Sequence, residues 1–199
     1  MRGLIAYGRR SKRMTLEEIR AEIDLIDNAI KPLFVRRMEC AKHVAEVKAD
    51  AGGDVYVPER ELAVIERRSS DMEADIKEEY IAFLRHLMSV CRRYEYGLLE
   101  GMQAQVVEEA LHAAGLPADM EHERVEIGFG CSYEASCLNT FVNMAKLNRI
   151  GIIRMQAELQ EGRQQVTMTL AGNVKDEGMK CLLCQIGKES DGFRILGLK

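Results

Sequence analysis

The sequence lacks an apolar run of transmembrane length, and Gly3 to Gly8 is too short for the apolar core of a signal peptide. It has no large excess of one charge sign, since 28 Lys and Arg face 32 Asp and Glu for a net charge of −4. This balance disfavours a general nucleic-acid binder. Internal repeats and low-complexity segments are missing as well. These absences favour a cytoplasmic globular protein, and we expect no nucleic-acid or membrane partner.

Metal-ligand spacing is missing among the four histidines, and the six cysteines predict free thiols in a reducing compartment. Cys181 and Cys184 have CxxC spacing, and Cys131 and Cys137 would complete a set of four sulfurs. This second pair is spaced too widely for a zinc knuckle. We therefore expect no metal and no cofactor.

What the sequence does contain is a 47% apolar fraction in 199 residues, which predicts one medium domain or two small ones. Residues 1–14 form a basic tail. Its cations are Arg2, Arg9, Arg10, Lys12 and Arg13.

A long amphipathic helix is predicted from Thr15 to about Asp50. Thr15 and Glu18 have capping-box spacing, Pro32 predicts a kink or a break, and Gly52-Gly53 follows the helix end. The apolar stripe of this helix repeats at the α-helical period. Its members are Leu16, Ile19, Ile23, Ile26, Ile30, Leu33, Ala41 and Val44.

Two cations, Arg37 and Lys48, lie within this stripe, about 20° apart around the helix axis and about 16 Å apart along it. A cation on a buried face costs several kcal/mol unless an anion meets it. Arg20 is about 25 Å from Arg37 on the same helix, so only another subunit can bring it to the same small ligand. The residues leave two alternatives open, a protein carboxylate or a bound anion.

Two further helices are predicted. The second begins at Pro58, a favourable first-turn residue, and the third runs from Asp75, with Glu78 at capping-box spacing, to Ala114. The third helix carries Glu95 on its apolar face. Because three such helices enclose a thin core, we infer a homodimer of interleaved helices.

After a polar linker at 117–124, the pattern predicts the order β-α-β-β-α-β in residues 125–199, an antiparallel sheet with two helices on one face. The fold class is therefore α+β. The segment Glu161-Gly162-Arg163 reads as a hairpin turn. The predicted strands are 124–129, 152–159, 164–170 and 193–198, and the predicted helices are 134–148 and 176–188.

The first half resembles the all-helical chorismate mutases over about residues 15–102. The resemblance rests on Ile19-Arg20-x6-Asp27, Arg36-Arg37-Met38, Val44-x3-Lys48, Pro58-Glu59-Arg60-Glu61 and the pair Cys91 and Glu95. It implies a three-helix mutase domain at residues 15–116, assembled as an intertwined dimer. It also implies the Claisen rearrangement of chorismate to prephenate in the biosynthesis of phenylalanine and tyrosine.

The resemblance assigns the carboxylates of chorismate to Arg37 and to Arg20 of the partner subunit. It places Lys48 against a carboxylate and the breaking ether oxygen. Glu61 would bind the ring hydroxyl, and Arg60 would order the site.

Three more positions belong to the implied site. Cys91 lies where some members have a serine near the ring carboxylate. Val57 replaces an aspartate, which leaves Glu61 to bind the hydroxyl. Glu95 replaces a glutamine that donates to the ether oxygen, so Glu95 must be protonated to do the same.

Residues 125–199 resemble an ACT domain, with Phe193 to Gly197 as its last strand and Asn148 to Ile152 as its helix-to-strand turn. The usual Pro-Gly-Ala-Leu loop is absent, and Glu134 to Leu138 stands in its place. The resemblance implies regulation by phenylalanine or tyrosine.

Two other functions stay open. One is an isochorismate-pyruvate lyase of the same fold, although such lyases tend to lack a glutamate at the position of Glu61. The other is a non-catalytic amino-acid-sensing dimer, which would be free to lose the cations.

Overall fold

The computed structural model describes residues 14–132 and 135–199, and the side chains of 133–137 are outside the description. The cations of the basic tail and the side chain of Cys137 therefore lie outside the description. The chain divides into two compact units, Met1–Arg37 and Met38–Lys199.

Helix α1 spans Leu16–Ala51. The predicted capping box is confirmed, because the Thr15 N–H donates to Glu18 Oε2 at 2.7 Å and the Glu18 N–H donates to Thr15 Oγ1 at 3.2 Å. Pro32 lies inside a continuous helix, so the break that it predicted does not occur.

The apolar side chains of α1 are largely exposed in the single chain. Within the described residues, α1 buries only Ala41 and Ala45. The exposed fraction of each large apolar side chain in its first twenty residues is 40% or more. These side chains are Leu16, Ile19, Ile23, Leu25, Ile26, Ile30, Leu33, Phe34 and Val35.

Helix α2 spans Pro58–Ser69, which confirms its predicted start. The predicted third helix is instead two helices, α3 at Lys77–Leu98 and α4 at Glu100–Ala114. No side chain caps α3, so the capping box predicted at Asp75 and Glu78 is wrong. Helix α4 ends at Gly115, whose left-handed φ of 66° suits glycine and confirms the predicted stop.

The break between α3 and α4 is at Leu99, with φ −106° and ψ 63°. The Tyr96 carbonyl at this break accepts from the Leu99 N–H at 3.2 Å and from Gln103 Nε2 at 2.7 Å. Because the buried Gln103 amide satisfies that carbonyl, the helix can be interrupted without leaving it unpaired.

The second half confirms the predicted order of strands and helices. The sheet is antiparallel, with strand order β2-β3-β1-β4. Both central residues of the β2–β3 turn have positive φ, 51° at Glu161 and 78° at Gly162, as in a type I′ hairpin. The elements are β1 Arg124–Ser132, α5 Ala135–Leu147, β2 Ile152–Gln160, β3 Arg163–Ala171, α6 Glu177–Glu189 and β4 Asp191–Leu198.

One face of this sheet forms the main core with α5 and α6. Val107 and Leu111 of α4 also pack into this core, so α4 packs with the sheet-containing half of the chain. The domain boundary proposed near residue 116 stays a prediction.

Helix α6 also takes part in a second apolar cluster, outside the sheet core. There, its Cys181 and Cys184 pack with side chains from α1, from α3, from the break between α3 and α4, and from the loop before α2. These neighbours are Ala45, Val55, Tyr96 and Leu99. Helix α6 is therefore shared between the sheet and the helices that precede it. None of the described helices combines the length and apolarity that crossing a membrane requires.

Candidate functional site

Lys48 is half-buried near the end of α1, where its ammonium donates to two backbone carbonyls. The distances from Nζ are 2.5 Å to the oxygen of Asp54 and 3.1 Å to that of Val55. Among the described residues, no carboxylate forms an ion pair with Lys48. Carbonyl dipoles thus solvate this cation, and its full charge has no anionic partner within the described chain.

The loop that receives Lys48 is held by α6 and α3. The Asp54 carboxylate accepts from Lys188 Nζ at 3.0 Å, and Val55 packs against Tyr96 and Leu99. The loop between α1 and α2 is therefore fixed by side chains from both halves of the chain.

Arg92 of α3 occupies the centre of a buried ionic cluster, with only 7% of its surface exposed. Its Nε and Nη2 donate to the two oxygens of Glu189 at 2.7 and 2.6 Å. Its Nη1 donates to Glu61 Oε1. The guanidinium carbon lies 4.8 Å from the centre of the Tyr56 ring, a cation–π distance.

This cluster, which we call the Arg92 cluster (Tyr56, Glu61, Arg92 and Glu189), holds one cation and two carboxyl groups. Burial lowers the pKa of Arg92, but the hydrogen bonds and charges of Glu189 and Glu61 outweigh it and raise that pKa. Burial raises the pKa of Glu189, while hydrogen bonds from Arg92 and Gln185 oppose the rise. The guanidinium therefore stays charged and binds both carboxyl groups.

Cys91 and Glu95 lie one turn apart on α3, with 3% and 8% of their surfaces exposed. The prediction that Glu95 occupies a buried face is confirmed. The Cys91 thiol donates to Met38 Sδ at 3.5 Å. Both groups therefore lie on the face of α3 that packs inward.

The remaining predicted site residues are more open. Val57 and Arg60 are exposed at the start of α2, and Arg20 is exposed on α1. Arg37 is half-buried. Because Arg20 and Arg37 belong to the unit Met1–Arg37, their place relative to the other site residues stays a prediction.

An open cavity of about 710 Å³ lies beside Lys48. Asp54, Glu100 and Lys188 also line it, whereas Glu61 and Glu95 do not. Of the described residues predicted to bind the substrate, Lys48 is the one that lines this cavity.

A metal site has no support in residues 14–132 and 135–199, where no group of three His, Cys, Asp or Glu side chains converges. Burial raises the pKa of both the Cys181 and Cys184 thiols, that of Cys184 to about 12. A protonated, buried thiol is a poor metal ligand.

The Arg92 cluster includes three residues that sequence reasoning missed. Arg92 directly follows Cys91, but Glu189 is 97 residues away in sequence. Tyr56 lies beside the predicted Val57 and carries no motif of its own. The sequence signals for Arg92 and Tyr56 were their positions next to Cys91 and Val57. Glu189 had no such signal.

Comparison with known proteins gives matches to part of the chain. Residues 19–96 match the family chorismate mutase type II. The chorismate mutase of Methanocaldococcus jannaschii is 46% identical over 52 residues, which cover 26% of this chain and 52% of that protein. The chain also matches the T-protein of Haemophilus influenzae, with 38% identity over 58 residues, 29% of this chain and 15% of that protein.

A longer stretch matches the bifunctional chorismate mutase/prephenate dehydratase of Aquifex aeolicus, with 33% identity over 85 residues, 40% of this chain and 24% of that protein. This chain thus spans between 15% and 52% of the relatives named here. No solved structure gives a significant match. Residues 19–96 are therefore similar in sequence to a chorismate mutase type II domain.

Proposed function

We propose that the protein is a chorismate mutase, which rearranges chorismate to prephenate in aromatic amino-acid biosynthesis. The observation that carries this proposal is the half-buried Lys48 ammonium, which has no carboxylate partner among the described residues. A dianionic substrate would supply the missing negative charge. The match of residues 19–96 to chorismate mutase type II supports the same conclusion.

The rearrangement of chorismate requires the protein only to position the substrate and to stabilise its developing charge. A pericyclic rearrangement forms no bond to the enzyme and requires no proton transfer. The site must hold a compact, reactive conformer and stabilise negative charge on the ether oxygen. Lys48 on α1 and the buried Glu95 on α3 are suited to that task, since both extend from helices rather than loops.

Glu95 would act as a neutral hydrogen-bond donor to the ether oxygen. An ionised carboxylate only accepts hydrogen bonds, so the protonated form is the one that can stabilise the transition state. The Glu95 side chain that would make this contact is buried, with 8% of its surface exposed.

We also propose that two chains form an intertwined homodimer through α1. A second copy would cover the exposed stripe that includes Ile19, Ile23 and Ile30, and full burial of such a side chain stabilises by about 1.5–3 kcal/mol. In that dimer, Arg20 of the partner subunit would join Arg37 and Lys48 around the substrate.

For the second half we propose an ACT-like regulatory module that responds to phenylalanine or tyrosine. The β-α-β-β-α-β order and the strand order β2-β3-β1-β4 support this assignment. Calorimetric titration of the full chain with each amino acid tests it. Binding of neither would leave assembly as the role of this half.

The test of the main proposal is to incubate the full chain separately with chorismate and with isochorismate. Loss of chorismate absorbance together with formation of prephenate is the expected result. Release of pyruvate from isochorismate alone would identify a lyase instead. Turnover of neither compound would favour a non-catalytic amino-acid sensor.

A further inference from the structure

Glu189 links the C-terminal half of the chain to the mutase domain. It is the last residue of α6 and lies outside the matched segment 19–96, whereas Glu61 and Arg92 lie within it. Only 3% of the Glu189 side chain is exposed, against 24% for Glu61. The Arg92 guanidinium thus binds two carboxyl groups, the nearly buried one of Glu189 and the partly exposed one of Glu61.

Glu189 holds Arg92 in a fixed orientation. Two parallel hydrogen bonds, at 2.7 and 2.6 Å, form a fork that allows the planar guanidinium little rotation. Glu189 is fixed in turn, because Gln185 Nε2 donates to its Oε1 at 2.9 Å and also contacts the Ser89 carbonyl at 3.3 Å. The position of Arg92 therefore depends on α6.

Glu61 pairs with the guanidinium nitrogen of Arg92 that does not contact Glu189. Arg92 Nη1 pairs with Glu61 Oε1, and Oε2 takes no part in this pair. The Tyr56 ring lies against the same guanidinium, so Arg92 is confined from a third side. One oxygen of Glu61 is anchored while the other can accept a hydrogen bond from a ligand.

From this geometry we propose that Arg92 and Glu189 are positioning residues, which hold the Glu61 carboxylate where it accepts the hydroxyl of the substrate. The inference rests on the proposed function and deepens it. It makes α6, an element of the sheet-containing half, part of the machinery that builds the substrate site. Losing the Glu189 charge would leave Glu61 as the only anion on Arg92 and draw the two groups together.

The first experiment replaces Glu189 by glutamine in the full chain. Because the contact between Glu61 and the hydroxyl exists in both the ground state and the transition state, its loss should act mainly on KM. We expect KM for chorismate to rise about tenfold, the value of one hydrogen bond, while kcat changes by less than about threefold. Glu177→Gln, in the exposed first turn of the same helix, is the matched control and should leave KM unchanged.

The second experiment separates positioning from general stability. In a Glu61→Gln background, Glu189→Gln should raise KM no further, since the group that it positions is already altered. An equal rise in both backgrounds, or no rise in the single variant, would overturn the proposal. Arg92→Lys, which keeps the charge but removes the fork, should reproduce the rise in KM.

A stability measurement, which does not depend on catalysis, distinguishes failure of the positioning proposal from failure of the proposed function. Urea midpoints of the wild type, both single variants and the double variant should be non-additive if Glu61 and Glu189 share Arg92. Additive midpoints would overturn the coupling whatever the activity. A wild type that folds and shows this coupling, but turns over no chorismate, would overturn the proposed function alone.

Discussion

The two carboxylate oxygens of Glu189 accept hydrogen bonds from Nε and Nη2 of Arg92, at 2.7 and 2.6 Å. This pair joins α3, within the chorismate mutase type II match, to α6, outside it. The two halves of the chain are therefore connected by a buried ionic contact as well as by apolar packing.

Truncating Arg92 to alanine should destabilise the fold strongly. The change leaves the buried Glu189 carboxyl without its cation, and removing one partner of a buried ion pair costs about 3–5 kcal/mol. The free energy of unfolding from urea titration measures the loss. Arg163→Ala is the control, because its pair with Asp191 is exposed and should be worth less than about 1 kcal/mol. Similar losses in the two variants would show that the Arg92 cluster is not structurally important.

Replacing Glu95 by glutamine should change the pH dependence of catalysis. Glutamine donates a hydrogen bond at every pH, whereas the carboxyl of Glu95 donates only while it is protonated. We expect kcat/KM of the wild type to fall as pH rises from mildly acidic values, and kcat/KM of the variant to stay flat. Rates measured from pH 5 to pH 9 provide the comparison. Identical pH profiles would rule out a protonated Glu95 as the active form.

A charge in the exposed stripe of α1 should separate the dimer. Ile26 is 51% exposed in the single chain, so Ile26→Glu is tolerated by the monomer but places a charge in the proposed interface. Sedimentation velocity should show monomers, and activity should fall because Arg20 of the partner subunit is lost. Glu22→Gln, an exposed change on the same helix, should leave the dimer intact. A dimer that survives Ile26→Glu, or a wild type that is monomeric, would refute the assembly.

The thiols should differ sharply in their reaction with iodoacetamide. Cys40 is exposed, while Cys184 is buried and its pKa is raised to about 12. At pH 8 only about 10⁻⁴ of the Cys184 thiol is then ionised, and the thiolate is the reactive form. Peptide mass spectrometry should find Cys40 alkylated long before Cys184, and urea should remove the difference. Equal rates in the native protein would mean that α6 is not packed as described.

Local signals in the sequence predicted local structure well. The capping box of Thr15 and Glu18, the proline start at Pro58, and the turn at Glu161-Gly162 each depend on neighbours within a few residues. Such features form from the same short-range contacts whether or not the rest of the chain is in place. The alternation of strands and helices after residue 124 was readable for the same reason.

Tertiary contacts account for what could not be predicted. Leu99, where the helix breaks, is neither proline nor glycine. The break depends on Gln103, which donates to the Tyr96 carbonyl, and on the packing of α4 against the sheet core. Arg92 was missed because its partner Glu189 is distant in sequence and no local pattern joins them. The burial of Glu95 was predictable from helical period, but the carbonyl partners of Lys48 were not.

The measurement that tests the central claim most directly compares Lys48→Met with Lys42→Met in the chorismate assay. Methionine keeps the length of the side chain and removes the charge, and Lys42 lies on the same helix, exposed and paired with Glu46. The account predicts that Lys48→Met lowers kcat/KM by at least ~10²-fold, while Lys42→Met retains full activity. Full activity in Lys48→Met would contradict the claim that this cation binds and stabilises the reacting substrate.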